Sequence, residues 1–130
     1  MKNENPLSTH QAKQISTLAL AFIGDAVTTA YVRERLVTEH DYKPNVLHKM
    51  ASDKENCTRQ SQVIDMLLPK LTQQESEIFM RGRNSKTGHL PKNGNVIDYR
   101  KATGFEAVVG FLYLTGQNER MNELLGELYC

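Results

Sequence analysis

Two carboxylates stand out by their surroundings. Asp25 is the one charged side chain in LALAFIGDAVTTAYV, residues 18–32, and Glu106 is the one charged side chain in ATGFEAVVGFLYLTG, residues 102–116. A carboxylate left unpaired in an apolar setting costs several kcal/mol or neutralises, so both acids should be buried beside a partner. Small residues flank each at helical spacing: Ala21, Gly24 and Thr28 near Asp25; Ala102, Thr103 and Gly110 near Glu106. Small side chains let helices approach closely, so the two stripes can cross and set the acids side by side. Two acids that near cannot both stay ionised unless a proton or a cation is shared. Neither stretch offers a Lys or Arg near its acid, and no His or Cys stands at ligand spacing. An all-oxygen site suits a hard cation, Mg²⁺ or Mn²⁺, that keeps several waters. Such a cation can position and deprotonate a water for attack on phosphorus. Taken singly, Asp25 could instead cap a helix after Gly24, and Glu106 could pair with Arg100 or another base.

The second chemistry-bearing stretch is RGRNSKTGHLPKNGNVIDYRK, residues 81–101. It holds six of the sixteen Lys and Arg (Arg81, Arg83, Lys86, Lys92, Arg100 and Lys101) and one acid, Asp98. The net charge of +1 thus divides into +5 here and −4 over the remainder. Asn84, Ser85, Asn93 and Asn95 add donors suited to phosphate and 2′-hydroxyl groups, and Gly82, Gly88 and Gly94 let backbone approach. Tyr99 is its one aromatic residue, which fits duplex backbone recognition better than base stacking on single strands. A solvated loop carrying charge for solubility is the plainer alternative.

These residues need helices to position them. Ser8 is a candidate N-cap for a short turn of helix through Gln14. Leu20, Ile23, Val27, Tyr31 and Leu36 predict a helix over about 16–38, although LALAFI could also be a buried strand followed by a turn at GD. Pro44 sets the entry to a helix over about 46–69, with Leu47, Met50, Val63, Met66 and Leu67 facing inward and Pro69 ending it. Thr72 with Glu75 reads as a capping box opening a helix over about 73–83. Asn84 to Asn95, with Gly88, Pro91 and Gly94, reads as loop. Phe105, Val109, Leu112 and Tyr113 predict a helix over about 97–115, and Met121, Leu124, Leu125 and Leu128 a last one over about 117–129. The fold class is all-α.

Bulk properties agree with one soluble unit. A chain of 130 residues fits a single domain with a real core. Hydrophobic content of 39% and charged content of 24% argue against disorder. The polar start MKNENPLSTHQAKQ lacks the apolar core of a signal peptide, and no later run reaches the ~18 uncharged apolar residues of a membrane span. A cytoplasmic location is expected. Cys57 and Cys130 lack the spacing of a zinc or redox pair and are read as reduced.

The motifs resemble those of the ribonuclease III family. FIGDAV, residues 22–27, resembles the end of the family signature, whose Asp binds metal, and FEAVVGFLYL, residues 105–114, resembles the second motif, whose Glu binds the same metal. RGRNSK, PKN and YRKATGFEA are similar to the short Mini-III subgroup, a catalytic domain without a double-stranded-RNA-binding domain. The resemblance spans nearly the whole chain. It implies an all-α endonuclease domain over residues 1–130 and a homodimer whose valley holds duplex RNA, each subunit cutting one strand. A two-fold dimer matches a symmetric duplex. The implied role of Asp25 and Glu106 is metal ligation, and the basic stretch read above makes Arg81, Arg83, Asn84, Lys86, Lys92, Asn93 and Arg100 the expected RNA contacts. The implied cofactor is Mg²⁺, with Mn²⁺ possible, and the implied substrate is a precursor of large-subunit ribosomal RNA. Where the fuller family pattern has further acids, this chain has Leu18, Ala21 and Thr103, as the Mini-III subgroup does.

The expectation is therefore a metal-dependent endoribonuclease acting on double-stranded RNA. The alternative is a ribosomal-RNA-binding or assembly protein that kept the fold without the chemistry. A helical nucleotide phosphohydrolase has one thin hint, the His40–Asp41 dipeptide, with no matching set of His and Asp elsewhere.

Overall fold

A computed structural model describes residues 2–54, 57–85 and 95–129, with the side chains of Cys57 and Thr58 left aside. Regular structure among these residues is helical throughout: α1 Thr9–Lys13, α2 Thr17–Glu39, α3 Pro44–Lys54, α4 Cys57–Leu67, a 3-10 turn Leu68–Lys70, α5 Gln73–Arg83, α6 Val96–Leu114 and α7 Asn118–Leu128. Local signals fix most boundaries. The side chains of Ser8, Ser16 and Thr72 each accept from a backbone N–H at the start of α1, α2 and α5. The capping boxes Ser8/Gln11 and Thr72/Glu75 are both closed. LALAFI is helical, as the 3.6-residue spacing requires, and the strand reading fails. The helix expected over 46–69 corresponds to α3 and α4, whose junction at 55–56 lies outside the described residues.

α6 is the central rod. Every residue from Ala102 to Leu112 is buried except Glu106, so neighbours surround this helix and the acid marks where it reaches the surface. α2, α5 and α4 pack around it, and α3 packs on α2. The α2–α6 contact is made by backbone. A Cβ at Gly24 would run into the carbonyl oxygen of Glu106, and one at Gly110 into the carbonyl oxygen of Leu20. At these two positions glycine is required by space, and the crossing it permits sets the register between the two helices.

Short ionic ties between elements help hold the periphery. Arg120 on α7 donates through Nη2 at 2.8 Å and Nε at 3.0 Å to the Glu75 carboxylate, and Nη2 also donates to the Lys70 carbonyl at 2.8 Å. Burial works to raise the pKa of Glu75, but hydrogen bonds from Arg120 and the Thr72 backbone N–H outweigh it and hold the carboxyl below its ordinary value. Lys101 on α6 reaches Asp65 on α4 at 2.8 Å.

Met66, expected inward, is 73% exposed, while Gln60, Ile64 and Leu67 carry the buried stripe of α4. The sequence of α4 supports two apolar faces, and the one containing Ile64 won. Leu47, Met50 and Val63 are partly buried against the core as expected.

Candidate nuclease site

The α2–α6 crossing brings Asp25 and Glu106 to one cleft of about 340 Å³, lined also by Thr28, Thr29, Gln60, Tyr99, Ala102, Thr103 and Tyr129. The two acids thus share one cleft, beside the close backbone approach of α2 and α6 at Gly24 and Gly110. They are not buried as expected. Asp25 is exposed and Glu106 half-buried, so both sit at the lip of the cleft. The reason lies in α2, whose apolar residues divide between the core and a bare face: Leu20, Val27, Val32 and Leu36 are buried, whereas Phe22 is 82% and Leu18 40% exposed. Asp25 stands mid-helix, so it is not an N-cap.

The wall of the cleft is polar and neutral apart from these acids. Thr28 Oγ1 donates to the Asp25 carbonyl at 2.9 Å, and Thr103 Oγ1 to the Tyr99 carbonyl at 3.0 Å, each within its own helix. Gln60 Nε2 donates to the Tyr129 hydroxyl at 3.0 Å. Among the described residues no Lys or Arg lines the cleft. Of the three positions singled out in the sequence for lacking an acid, Thr103 lines the cleft, Ala21 is buried and Leu18 is 40% exposed.

The basic residues form a separate surface. Arg83, Asn84 and Arg100, with Ile97, line a second cleft of about 280 Å³ where the end of α5 meets the start of α6. Arg83 Nε approaches Asn84 Oδ1 at 3.4 Å. Arg81 is exposed in the last turn of α5 but does not line this cleft. Both Arg81 and Arg83 also complement the negative end of the α5 dipole. Lys86, Lys92 and Asn93 lie outside the described residues, and Lys101 is paired with Asp65. Around α6, Ile97 and Arg100 occupy one face, and Tyr99, Ala102, Thr103 and Glu106 another, roughly 140° away at ~100° per residue. One chain thus presents acids and bases on different sides of the same helix.

Gln60 and Tyr129 were not legible as site residues. Gln60 lies on a helix that reads as polar; its one signal is the spacing Gln60–Ile64–Leu67, which places it on the buried stripe. Tyr129 reads as the end of an amphipathic helix, and nothing local links it to Asp25.

Comparison with known proteins agrees with this architecture. The family model for the ribonuclease III domain matches residues 18–117. The chain is 44% identical over 115 residues to the Mini-ribonuclease 3 of Enterococcus faecalis, covering 87% of each chain. It is 42% identical over 125 residues to the Mini-ribonuclease 3 of Symbiobacterium thermophilum, covering 96% of this chain and 92% of that one. A crystal structure of a Fusobacterium nucleatum protein superposes with a TM-score of 0.78 at 30% identity, covering 85% of this chain and 88% of that one. With the family model matching residues 18–117 and relatives of this kind matched over most of both chains, the chain belongs to the ribonuclease III family of endoribonucleases, in its Mini-ribonuclease 3 group.

Proposed function

We propose that the chain cuts double-stranded RNA in a divalent-cation-dependent reaction at the cleft between α2 and α6, with Asp25 and Glu106 as the residues that hold the cation. The observation that carries this reading is the meeting of the two acids where Gly24 and Gly110 let the helices touch. The donor set fits a hard ion: two carboxylates are joined along the wall by threonine and amide oxygens. Among the described residues no group of three or more His, Cys, Asp or Glu could hold a metal ion, so Asp25 and Glu106 are the two protein carboxylates assigned to it. When bound, Mg²⁺ or Mn²⁺ supplies charge neutralisation at the phosphoryl group and a water of lowered pKa. Asp25 and Glu106 would fix its place beside the strand. Arg83, Asn84 and Arg100, with Arg81, Lys86, Lys92 and Asn93, would contact the duplex backbone and set its register without taking part in bond cleavage.

The same reading makes the active form a homodimer joined through the bare face of α2. Exposed Leu18 and Phe22 support this, since a ring as exposed as that of Phe22 gains most by being covered. A two-fold partner would also bring a second basic surface alongside the acids, which one chain keeps on separate sides of α6. Precursors of large-subunit ribosomal RNA are the substrate we assign, on the strength of the Mini-III resemblance. We place the activity in a single catalytic domain and in the cytoplasm. Among the described residues no helix is long and apolar enough to cross a membrane.

The test is cleavage of a long RNA duplex with Mg²⁺ and with EDTA, beside Asp25→Asn and a single-stranded control. Metal-dependent cutting of the duplex alone, lost in Asp25→Asn while binding persists, is the expected result. Binding without cutting in Mg²⁺ or Mn²⁺ would replace it with the RNA-binding assembly role.

A further inference from the structure

We propose that Gln60 contacts the RNA strand being cut, its side-chain amide hydrogen-bonding the sugar–phosphate backbone in the acidic cleft, and that Tyr129 is the positioning residue that holds the amide there. The inference rests on the reading of this cleft as the nuclease site. Gln60 is only 8% exposed, yet it lines the cleft that Asp25 and Glu106 open. Its Nε2 donates to the Tyr129 hydroxyl, its one side-chain hydrogen bond among the described residues. A primary amide carries two N–H donors and an acceptor oxygen, so a donor and the carbonyl are left to be matched. Buried polar groups are normally matched, and the space beside this one is the cleft.

The rest of the wall explains why an amide is useful. Two carboxylates repel a phosphodiester, and the hydroxyls of Thr28 and Thr103 are turned back onto carbonyls of their own helices. An uncharged amide can approach the strand without that repulsion. It can donate to a non-bridging phosphate oxygen and exchange hydrogen bonds with a 2′-hydroxyl.

Tyr129 is built as a strut. It is 5% exposed, its ring lies 6.2 Å from that of Tyr31, and its carbonyl accepts from Arg35 Nη1 at 3.4 Å. The Arg35 guanidinium in turn lies 5.7 Å above the Tyr31 ring. α2, α4 and the end of α7 therefore meet behind Gln60, which fixes its rotamer in advance of substrate.

The test uses Gln60→Leu, Tyr129→Phe and the double variant, with wild type and Asp25→Asn alongside. Each is measured for affinity to a short RNA duplex in EDTA, for single-turnover cutting with Mg²⁺, and for melting temperature. Gln60→Leu should weaken duplex affinity about fivefold, as expected for one lost hydrogen bond, and slow cutting about tenfold. Tyr129→Phe should move both quantities the same way by about two- to threefold. The double variant should be no worse than Gln60→Leu, because the hydroxyl acts through the amide. Wild-type affinity and rate in Gln60→Leu would overturn the contact, and additive losses in the double variant would overturn the positioning role. Should Gln60→Leu fail to fold, Tyr129→Phe removes a single oxygen and decides alone: unchanged affinity and rate reject the proposal. An inactive wild type would reject the nuclease reading and this inference with it, a result distinct from an active wild type matched by Gln60→Leu.

Discussion

The acidic cleft and the basic cleft are built in opposite ways. The acidic cleft is assembled from α2, α4, α6 and the end of α7, at a crossing where backbones touch, and the side chains of Thr28, Thr103, Gln60 and Tyr129 on its wall are held by hydrogen bonds of 2.9–3.0 Å. The basic cleft is assembled from the end of α5 and the start of α6, and its side chains are exposed or half-buried, with one long contact between Arg83 and Asn84. Chemistry at phosphorus demands fixed geometry, because misplacement by an ångström is costly. Backbone recognition of a duplex demands charge in roughly the right place. Under the proposed function this difference corresponds to a division in which the first cleft mainly sets rate and the second mainly sets affinity.

That division can be broken most forcefully at Glu106. Glu106→Gln keeps the shape of the side chain and removes the charge, so kcat on an RNA duplex should fall on the order of 10³-fold while KM changes by less than about threefold. A comparable rise in KM would show that the acid serves binding. Next in size is the crossing itself. Gly24→Val forces the α2 backbone away from the Glu106 carbonyl, and urea unfolding should show a loss of about 3 kcal/mol together with loss of cutting. Wild-type stability would mean that the helices cross differently in solution.

Arg120→Ala separates stability from both clefts. It leaves Glu75 buried without its guanidinium, and about 2–4 kcal/mol of stability should go, with duplex affinity unchanged in the protein that remains folded. The same pair sets an acid limit. The folded-state pKa of Glu75 is depressed, so its contribution is complete above the unfolded carboxyl value, about 4.3, and is lost as pH falls through the folded value. Arg120→Ala should flatten the stability profile below about pH 4, which a pH series of unfolding curves will show. The smallest effect belongs to the basic cleft. Arg83→Ala with Arg100→Ala should weaken duplex affinity about tenfold and reduce the slope of log K against log salt by ~0.9 for each phosphate that is no longer neutralised. An unchanged slope would remove these residues from the interface.

How far the sequence revealed this depended on the range of the signal. Boundaries written into neighbouring residues were legible: the Thr72/Glu75 box opens α5 where expected, and the apolar spacing of α2 and α6 fixed both helices. The meeting of Asp25 and Glu106 was legible because small residues mark both sides of the crossing. Their exposure was not, since Leu18 and Phe22 read as core and only the folded chain shows that, among the described residues, no element covers them. Met66 failed for a related reason, as one apolar residue on an amphipathic helix does not say which of two faces turns inward. Gln60 and Tyr129 stand 69 positions apart and are joined by a single hydrogen bond, a relation that no local pattern encodes.

The most direct test of the division between the clefts is single-turnover cutting of one RNA duplex at saturating protein, comparing wild type, Asp25→Asn and the Arg83→Ala, Arg100→Ala double variant. Saturation removes differences in affinity. The double variant should then cut within about twofold of the wild-type rate, while Asp25→Asn should be slower on the order of 10³-fold. Cutting by Asp25→Asn at a rate near wild type, or a saturated rate in the double variant as low as that of Asp25→Asn, would contradict the assignment of chemistry to the acidic cleft.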